Sequence, residues 1–341
     1  MEDFRNLKWF KSNESEIEVD RFSNLPDSII IDQILSRLPE TRFAIRTGIL
    51  SKRFQYLWQW VRSLRFDDFF FVNAAIDLLG DFDYRDKAFL EFFVAVDKSL
   101  PQFQVESIDK FELDTNYDSR FALYVKNWIE FAVSKNVKQF KMKLRYVGDD
   151  DEFSIDSESF FLNSHFTDIE VGYCTLNPTV CISWSNLTCL SISHSKLDES
   201  LIPNIVSGSP LLTTLTFHYC HGSFIDIRSN SVKNLVLVGY EEEESGKPLE
   251  INAPKISSLI IIGQLWISNI LLRDVSSLVK ANLNFEVPRY FKRIRKHDEE
   301  EILNGLILRM KHLNELKVGL SLYPVIFCFF IYLLRLIISI L

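Results

Sequence analysis

Along most of this chain apolar residues recur in one six-residue arrangement, apolar-x-x-apolar-x-apolar. It appears as Val61/Leu64/Phe66, Ile108/Phe111/Leu113, Val137/Phe140/Met142, Phe166/Ile169/Val171 and Leu187/Leu190/Ile192. It continues as Leu212/Leu215/Phe217, Val232/Leu235/Leu237, Ile256/Leu259/Ile261, Leu278/Ala281/Leu283 and Leu313/Leu316/Val318. The alternation in its second half is the period of a strand with one buried face. From Ile108 to Leu278 the first positions lie 29, 29, 21, 25, 20, 24 and 22 residues apart. A single hexad arises easily by chance in an apolar chain, but nine after the first at quasi-regular intervals do not. The spacing predicts a right-handed solenoid of stacked parallel strands that buries the apolar-x-apolar residues and turns the interleaved ones outward.

Two stretches break this period. Residues 67–107 show helical spacing in Leu90, Phe93, Val94 and Asp97, which predicts a long helical insert after the first strand. Residues 20–60 form three short amphipathic segments. Pro26 sits where a first-turn proline is tolerated, and Asp27 places negative charge at the helix start. Ile30, Ile34, Leu35 and Leu38 then form one helical stripe. Pro39 breaks that helix, and Ser51 is placed to cap a third helix that presents Phe54, Leu57 and Trp58. About 40 residues are too few for a self-sufficient core, so this segment must complete itself on the rest of the chain or on a partner.

The repeat length falls in the range of leucine-rich repeats, about 20–29 residues. Cys174 and Cys220 follow Val171 and Phe217 by three positions, where that consensus places Asn or Cys. Leu25-Pro26-Asp27, Ile34-Leu35, Leu38-Pro39, Ala44-Ile45-Arg46-Thr47, Leu50-Ser51-Lys52-Arg53 and Leu57-Trp58 together resemble the F-box of plant F-box proteins with leucine-rich repeats. Ser207-Gly208-Ser209-Pro210-Leu211-Leu212 is similar to a signature of the repeats in that family. Phe54 stands where the family usually has Trp, and the spacing from Leu25-Pro26 to Leu50-Ser51 is slightly longer than usual.

The resemblance implies an α/β fold: a small three-helix F-box over 20–60, then an irregular leucine-rich-repeat solenoid over 61–319. It also implies a substrate receptor of an SCF-type ubiquitin ligase, a subunit that performs no chemistry itself. The F-box would dock a Skp-type adaptor, and through it a cullin, with Leu25, Pro26, Ile30, Ile34, Leu38, Leu50, Phe54 and Trp58 facing the adaptor. The repeats would hold a protein substrate. Outward strand positions are the expected surface, notably Thr214, Thr216 and His218, and the apolar Val236, Val238, Ile260 and Ile262. Those four predict either an exposed patch or strands covered on both faces. A non-ligase scaffold, or a paralogue that no longer binds the adaptor, is the other class of function the sequence admits.

Composition narrows the field further. Net charge is −8 over 341 residues, which argues against nucleic acid as a partner, since that affinity rests on Lys and Arg. Residues 1–19 are acidic and mixed, read as a disordered segment without the apolar core of a signal peptide. Five cysteines without such a signal predict free thiols in a reducing compartment, cytoplasmic or nuclear. Cys174, Cys181, Cys189, His194, His218, Cys220 and His221 lack the spacing of zinc frameworks, and no motif calls for a cofactor or a catalytic group. Asp149–Glu152 and Glu241–Gly246 read as solvated loops. The basic run Arg289–His297 precedes Asp298–Glu301, consistent with local neutralisation along a helix. Residues 320–341 are almost wholly apolar, with Arg335 the one charge. They suit a membrane anchor, a helix capping the solenoid, or the read-through end of a truncated gene.

Overall fold

The computed structural model describes residues 24–69, 82–146, 152–222, 225–243, 248–267, 270–286, 306, 310 and 313–319. The expectations for 1–19, for the Asp149–Asp151 loop, for the basic run and for the apolar tail lie outside the described residues.

Each of the ten hexads forms a strand. In chain order the strands are β1 (Ser63–Asp67), β2 (Lys110–Tyr117), β3 (Gln139–Tyr146), β4 (Phe153–Ile155), β5 (Asp168–Gly172), β6 (Cys174–Leu176), β7 (Cys189–Ser193) and β8 (Lys196–Leu197). They continue as β9 (Thr214–Gly222), β10 (Asp226–Arg228), β11 (Asn234–Glu242), β12 (Leu249–Asn252), β13 (Ser258–Trp266), β14 (Ile270–Leu272), β15 (Lys280–Glu286) and β16 (Glu315–Val318). The main sheet runs β1-β2-β3-β5-β7-β9-β11-β13-β15-β16, with parallel pairing throughout. The register places each hexad on its neighbour. Phe111, Phe140, Ile169, Leu190, Leu215, Leu235, Leu259 and Ala281 form one continuous row, all of it buried. At the last strand Leu316 is exposed, as suits a sheet edge.

What returns the chain to the next strand differs from coil to coil. The 29-residue coil that starts at Ile108 has room for the helix Ala122–Ser134, which buries Val125, Trp128, Ile129 and Ala132. The 20- to 24-residue coils starting at Leu212, Val232 and Ile256 return instead through β10, β12 and β14, a second parallel sheet. Core composition follows the same division. The wide N-terminal coils are filled by stacked rings, such as Phe111 on Phe140 at 5.9 Å and Phe93 on Trp128 at 5.0 Å. The narrow C-terminal coils are filled mainly by Leu, Ile and Val. Burial of each such side chain contributes roughly 1.5–3 kcal/mol.

The expected insert is the helix Phe82–Ser99, but its buried stripe is Phe89, Phe92, Phe93 and Val96. Leu90 is 47% exposed, and Asp97 is half-buried, accepting from Trp128 Nε1 at 3.3 Å. The helix is thus rotated from the expected face, because Phe89, Phe92, Phe93 and Val96 form its larger apolar stripe at helical spacing. The Glu241–Gly246 loop is also corrected in part: Glu241 and Glu242 belong to β11, with Glu242 buried.

Candidate functional site

The segment before β1 folds as three short helical runs. The first passes through Asp27–Ile29, Ile30–Ile34 and Leu35–Arg37; the second is Thr41–Arg46 with Thr47–Ile49; the third is Phe54–Leu57 with Trp58–Trp60. Pro39 separates the first two, as its missing donor requires. Ser51 Oγ accepts from Phe54 N at 3.3 Å, the cap expected for the third. Arg53 then ties the third run to the first. Its Nε donates to Asp27 Oδ1 at 2.8 Å, and Nη2 donates to the same carboxylate and to the Leu25 carbonyl. The Leu-Pro-Asp and Ser-Lys-Arg motifs, far apart in sequence, are therefore one clamp.

This small unit completes its core on the solenoid. Ile30, Leu35, Ala44, Leu57 and Trp58 belong to the same buried cluster as the strands. Trp58 meets Phe103 edge-on at 5.4 Å, and Thr41 Oγ1 accepts from Arg65 N of β1 at 2.7 Å. Two residues expected to face a partner are thereby corrected. Ile30 is fully buried and Trp58 nearly so, because three short helices spend these side chains on holding themselves to β1. Leu25, Ile34, Leu38 and Phe54 are half-buried against the same core. Pro26 is exposed, and Leu50 is 70% exposed. Sequence reading missed four exposed apolar side chains here: Ile29, Ile49 (88% exposed), Tyr56 and Trp60. Ile49 and Tyr56 lie on segments that pack together, so Ile49 and Leu50 form a protruding apolar corner beside the third helix.

On the main sheet the outward residues form rows in register. One row runs Arg65, Glu112, Lys141, Glu170, Ser191, Thr216, Val236, Ile260, Asn282 and Lys317. Its charged end neutralises itself. Lys141 Nζ donates to Glu170 Oε2 at 2.6 Å, Lys143 pairs with Glu170 Oε1 at 2.7 Å, and Arg145 with Asp114 at 2.7 Å. Burial alone would raise the Glu170 pKa, but the hydrogen bonds from the two ammonium groups hold it below the ordinary carboxylate value. Asp68, buried beside β2, goes the other way. Desolvation raises it although Asn116 and Thr115 donate to its Oδ2.

Farther along, Thr214, Thr216 and His218 on β9 are half-exposed, as are Val236 and Val238 on β11 and Ile260 and Ile262 on β13. The strand register puts the four apolar residues side by side, Val236 against Ile260 and Val238 against Ile262. They form one apolar patch on the outer face of the sheet. His218 stands next to Val238, and burial holds the His218 imidazole below its ordinary pKa.

A second column borders this face. Tyr173, His194 and Tyr219 have φ of 57°, 48° and 50°, and Gly239 and Gly263 have φ of 63° and 83°. Each follows the paired strand residues at one position of the coil. After the first four the next residue turns inward, so Cys174, Ser195, Cys220 and Tyr240 are all buried; after Gly263 the register shifts by one, leaving Gln264 exposed and Leu265 buried opposite Tyr240. Cys220 Sγ donates to the Ile192 carbonyl at 3.4 Å, which explains a thiol where the repeat consensus places Asn or Cys. On the outside the rings stack, Tyr173 on His194 at 4.4 Å and His194 on Tyr219 at 5.2 Å. Sequence reading missed this column, although each member sits two positions after the last apolar residue of its hexad.

Among the described residues no group of three or more His, Cys, Asp or Glu could hold a metal ion. Cys174, Cys181, Cys189 and Cys220 are free thiols. No described helix is long and apolar enough to cross a membrane.

Comparison with known proteins matches this geometry to a family. Residues 103–298 match the family described as At1g61320/AtMIF1, LRR domain. The F-box protein At1g49610 of Arabidopsis thaliana is 32% identical over 273 residues, 78% of this chain and 61% of that protein. The F-box/LRR-repeat protein At5g02930 of the same plant is 26% identical over 333 residues, 93% of this chain and 64% of its own length. The F-box protein At5g03100 is 27% identical over 308 residues, 88% of this chain and 89% of that protein. The chain thus spans about three fifths of the length of the first two relatives. No solved structure matches it. The chain belongs to the At1g61320/AtMIF1 leucine-rich-repeat family and is a plant F-box/LRR-repeat protein.

Proposed function

We propose that this protein is a substrate receptor of an SCF-type ubiquitin ligase. Its F-box docks a Skp-type adaptor linked to a cullin, and its repeats hold a protein substrate near a ubiquitin-charged enzyme. The contribution to catalysis is proximity, supplied in trans. The carrying observation is the exposure of Ile49 and Leu50 on a unit whose other large apolar side chains are mostly committed to the chain's own core. An apolar corner kept in solvent on a rigidly held unit marks a protein-docking surface. The fusion of that unit to β1 supports the reading, because it fixes the direction from adaptor to substrate. Localisation in the cytoplasm or nucleus follows from the same role as part of the proposal.

Co-purification of the full chain with a Skp-type adaptor tests this, beside the double variant Ile49→Asp/Leu50→Asp. Stoichiometric capture by the parent and none by a folded variant is the expected result. No capture by a folded parent would assign the protein to the non-ligase scaffolds.

A further inference from the structure

The left-handed column carries side chains that its backbone does not need. At φ near 50° a glycine is unstrained and a tyrosine is not, and the same column uses glycine at Gly239 and Gly263. Strained rings kept partly exposed where glycine would serve point to a use for the rings themselves. Tyr219, the last of the stack, is 56% exposed. It overhangs Gly239, since a Cβ there would lie 2.7 Å from its ring. One coil farther, a Cβ on Gly263 would meet only the Gly239 backbone, at 3.4 Å. The Tyr219 ring thus covers Gly239, and open space begins one coil farther, over Gly263. Val238 and Ile262 immediately precede those glycines and stand half-exposed beside that space. Past it lie the exposed carboxylates of Glu241 on β11 and Glu286 on β15.

We propose that this corner recognises a peptide segment of the substrate. The segment sets one aromatic ring against the exposed Tyr219 ring and over Gly263, and sets aliphatic side chains on Val238 and Ile262. It directs a basic residue toward Glu241 and Glu286. The stack ends in an exposed ring beside Gly263, its side is apolar, and its far rim is acidic; together these select an aromatic–aliphatic–basic segment over an acidic one. The biological meaning of the site rests on the receptor reading above, while its binding chemistry can be measured without the adaptor.

The test is selection of a displayed library of random dodecapeptides on the full chain, with Ile262→Asp as the counter-selected variant. Sequences combining an aromatic, an aliphatic and a basic residue should be enriched about tenfold on the parent over the variant. Equal recovery on both, or a consensus that is acidic or lacks a ring, would overturn the proposal. The recovered peptide should then bind Tyr219→Gly about tenfold more weakly, the worth of one well-made aromatic contact. The thermal midpoint of Tyr219→Gly should hold or rise, because glycine relaxes the left-handed turn. Unchanged affinity for that variant, or weakening only in step with a falling midpoint, would also overturn it. Adaptor capture by the same preparations keeps the claims apart: a parent that captures the adaptor yet selects no such peptide loses this site and remains a receptor.

Discussion

The outer face of the sheet carries Arg65, Glu112, Lys141 and Glu170 on β1, β2, β3 and β5, and Thr216, Val236 and Ile260 on β9, β11 and β13, all in one row. The inner row behind both halves is the same kind of apolar column. A repeat thus holds its interior constant while its exterior is set coil by coil. At the N-terminal end the charges satisfy one another, through Lys141 and Lys143 with Glu170 and Arg145 with Asp114. At the C-terminal end Val236, Val238, Ile260 and Ile262 have no such mutual satisfaction to offer. The difference separates a surface closed by its own contacts from one left open to a partner.

The largest effects should ignore this division. Phe140→Ala and Leu259→Ala empty buried positions in the two halves and should each cost about 2–5 kcal/mol, read as a fall in the urea midpoint. A much smaller loss in one half would mean that the inner row is not continuous. The next effect should be confined to the C-terminal half. Val238→Asp with Ile262→Asp should abolish substrate binding and shift the midpoint little, because both side chains are already half-exposed. Glu170→Gln, in the N-terminal half, should cost only about 0.5–1 kcal/mol, since all three members of the network are partly exposed, and should leave substrate binding unchanged.

The smallest effects are on pH dependence, and they have opposite signs. Glu170 sits below its unfolded value. Its stabilisation is complete above that unfolded value and is lost as pH falls through the folded one. Asp68 sits above its unfolded value, so the folded state keeps that proton longer and stability declines as pH rises between the two. Urea midpoints compared at pH 7 and pH 4 should therefore show a shallower acid loss in Glu170→Gln and a steeper one in Asp68→Asn.

The inner row was legible in full, because a buried strand leaves a period of two that solvent exposure enforces on every coil. All ten hexads from Val61 to Val318 mark strands. The helix Ala122–Ser134 was hidden inside a 29-residue interval, although Val125, Trp128, Ile129 and Ala132 carry helical spacing. The F-box segment was legible as three helical runs but not in the assignment of its faces. Helical periodicity groups Ile30 with Ile34 without telling whether the stripe meets β1 or a partner, and here β1 takes Ile30 and Trp58. The ring column was illegible for a different reason. Left-handed backbone is disfavoured for Tyr, so nothing in the propensities of Tyr173 or Tyr219 announces it.

The most direct measurement is a titration of the full chain with a purified Skp-type adaptor. The parent is compared with Ile49→Asp/Leu50→Asp and with Val238→Asp/Ile262→Asp. An adaptor site confined to the Ile49–Leu50 corner predicts saturable one-to-one binding by the parent, unchanged affinity for the sheet variant, and loss for the F-box variant with folding intact. Binding that survives at Ile49 and Leu50 but fails at Val238 and Ile262, or no binding by the folded parent, would contradict it.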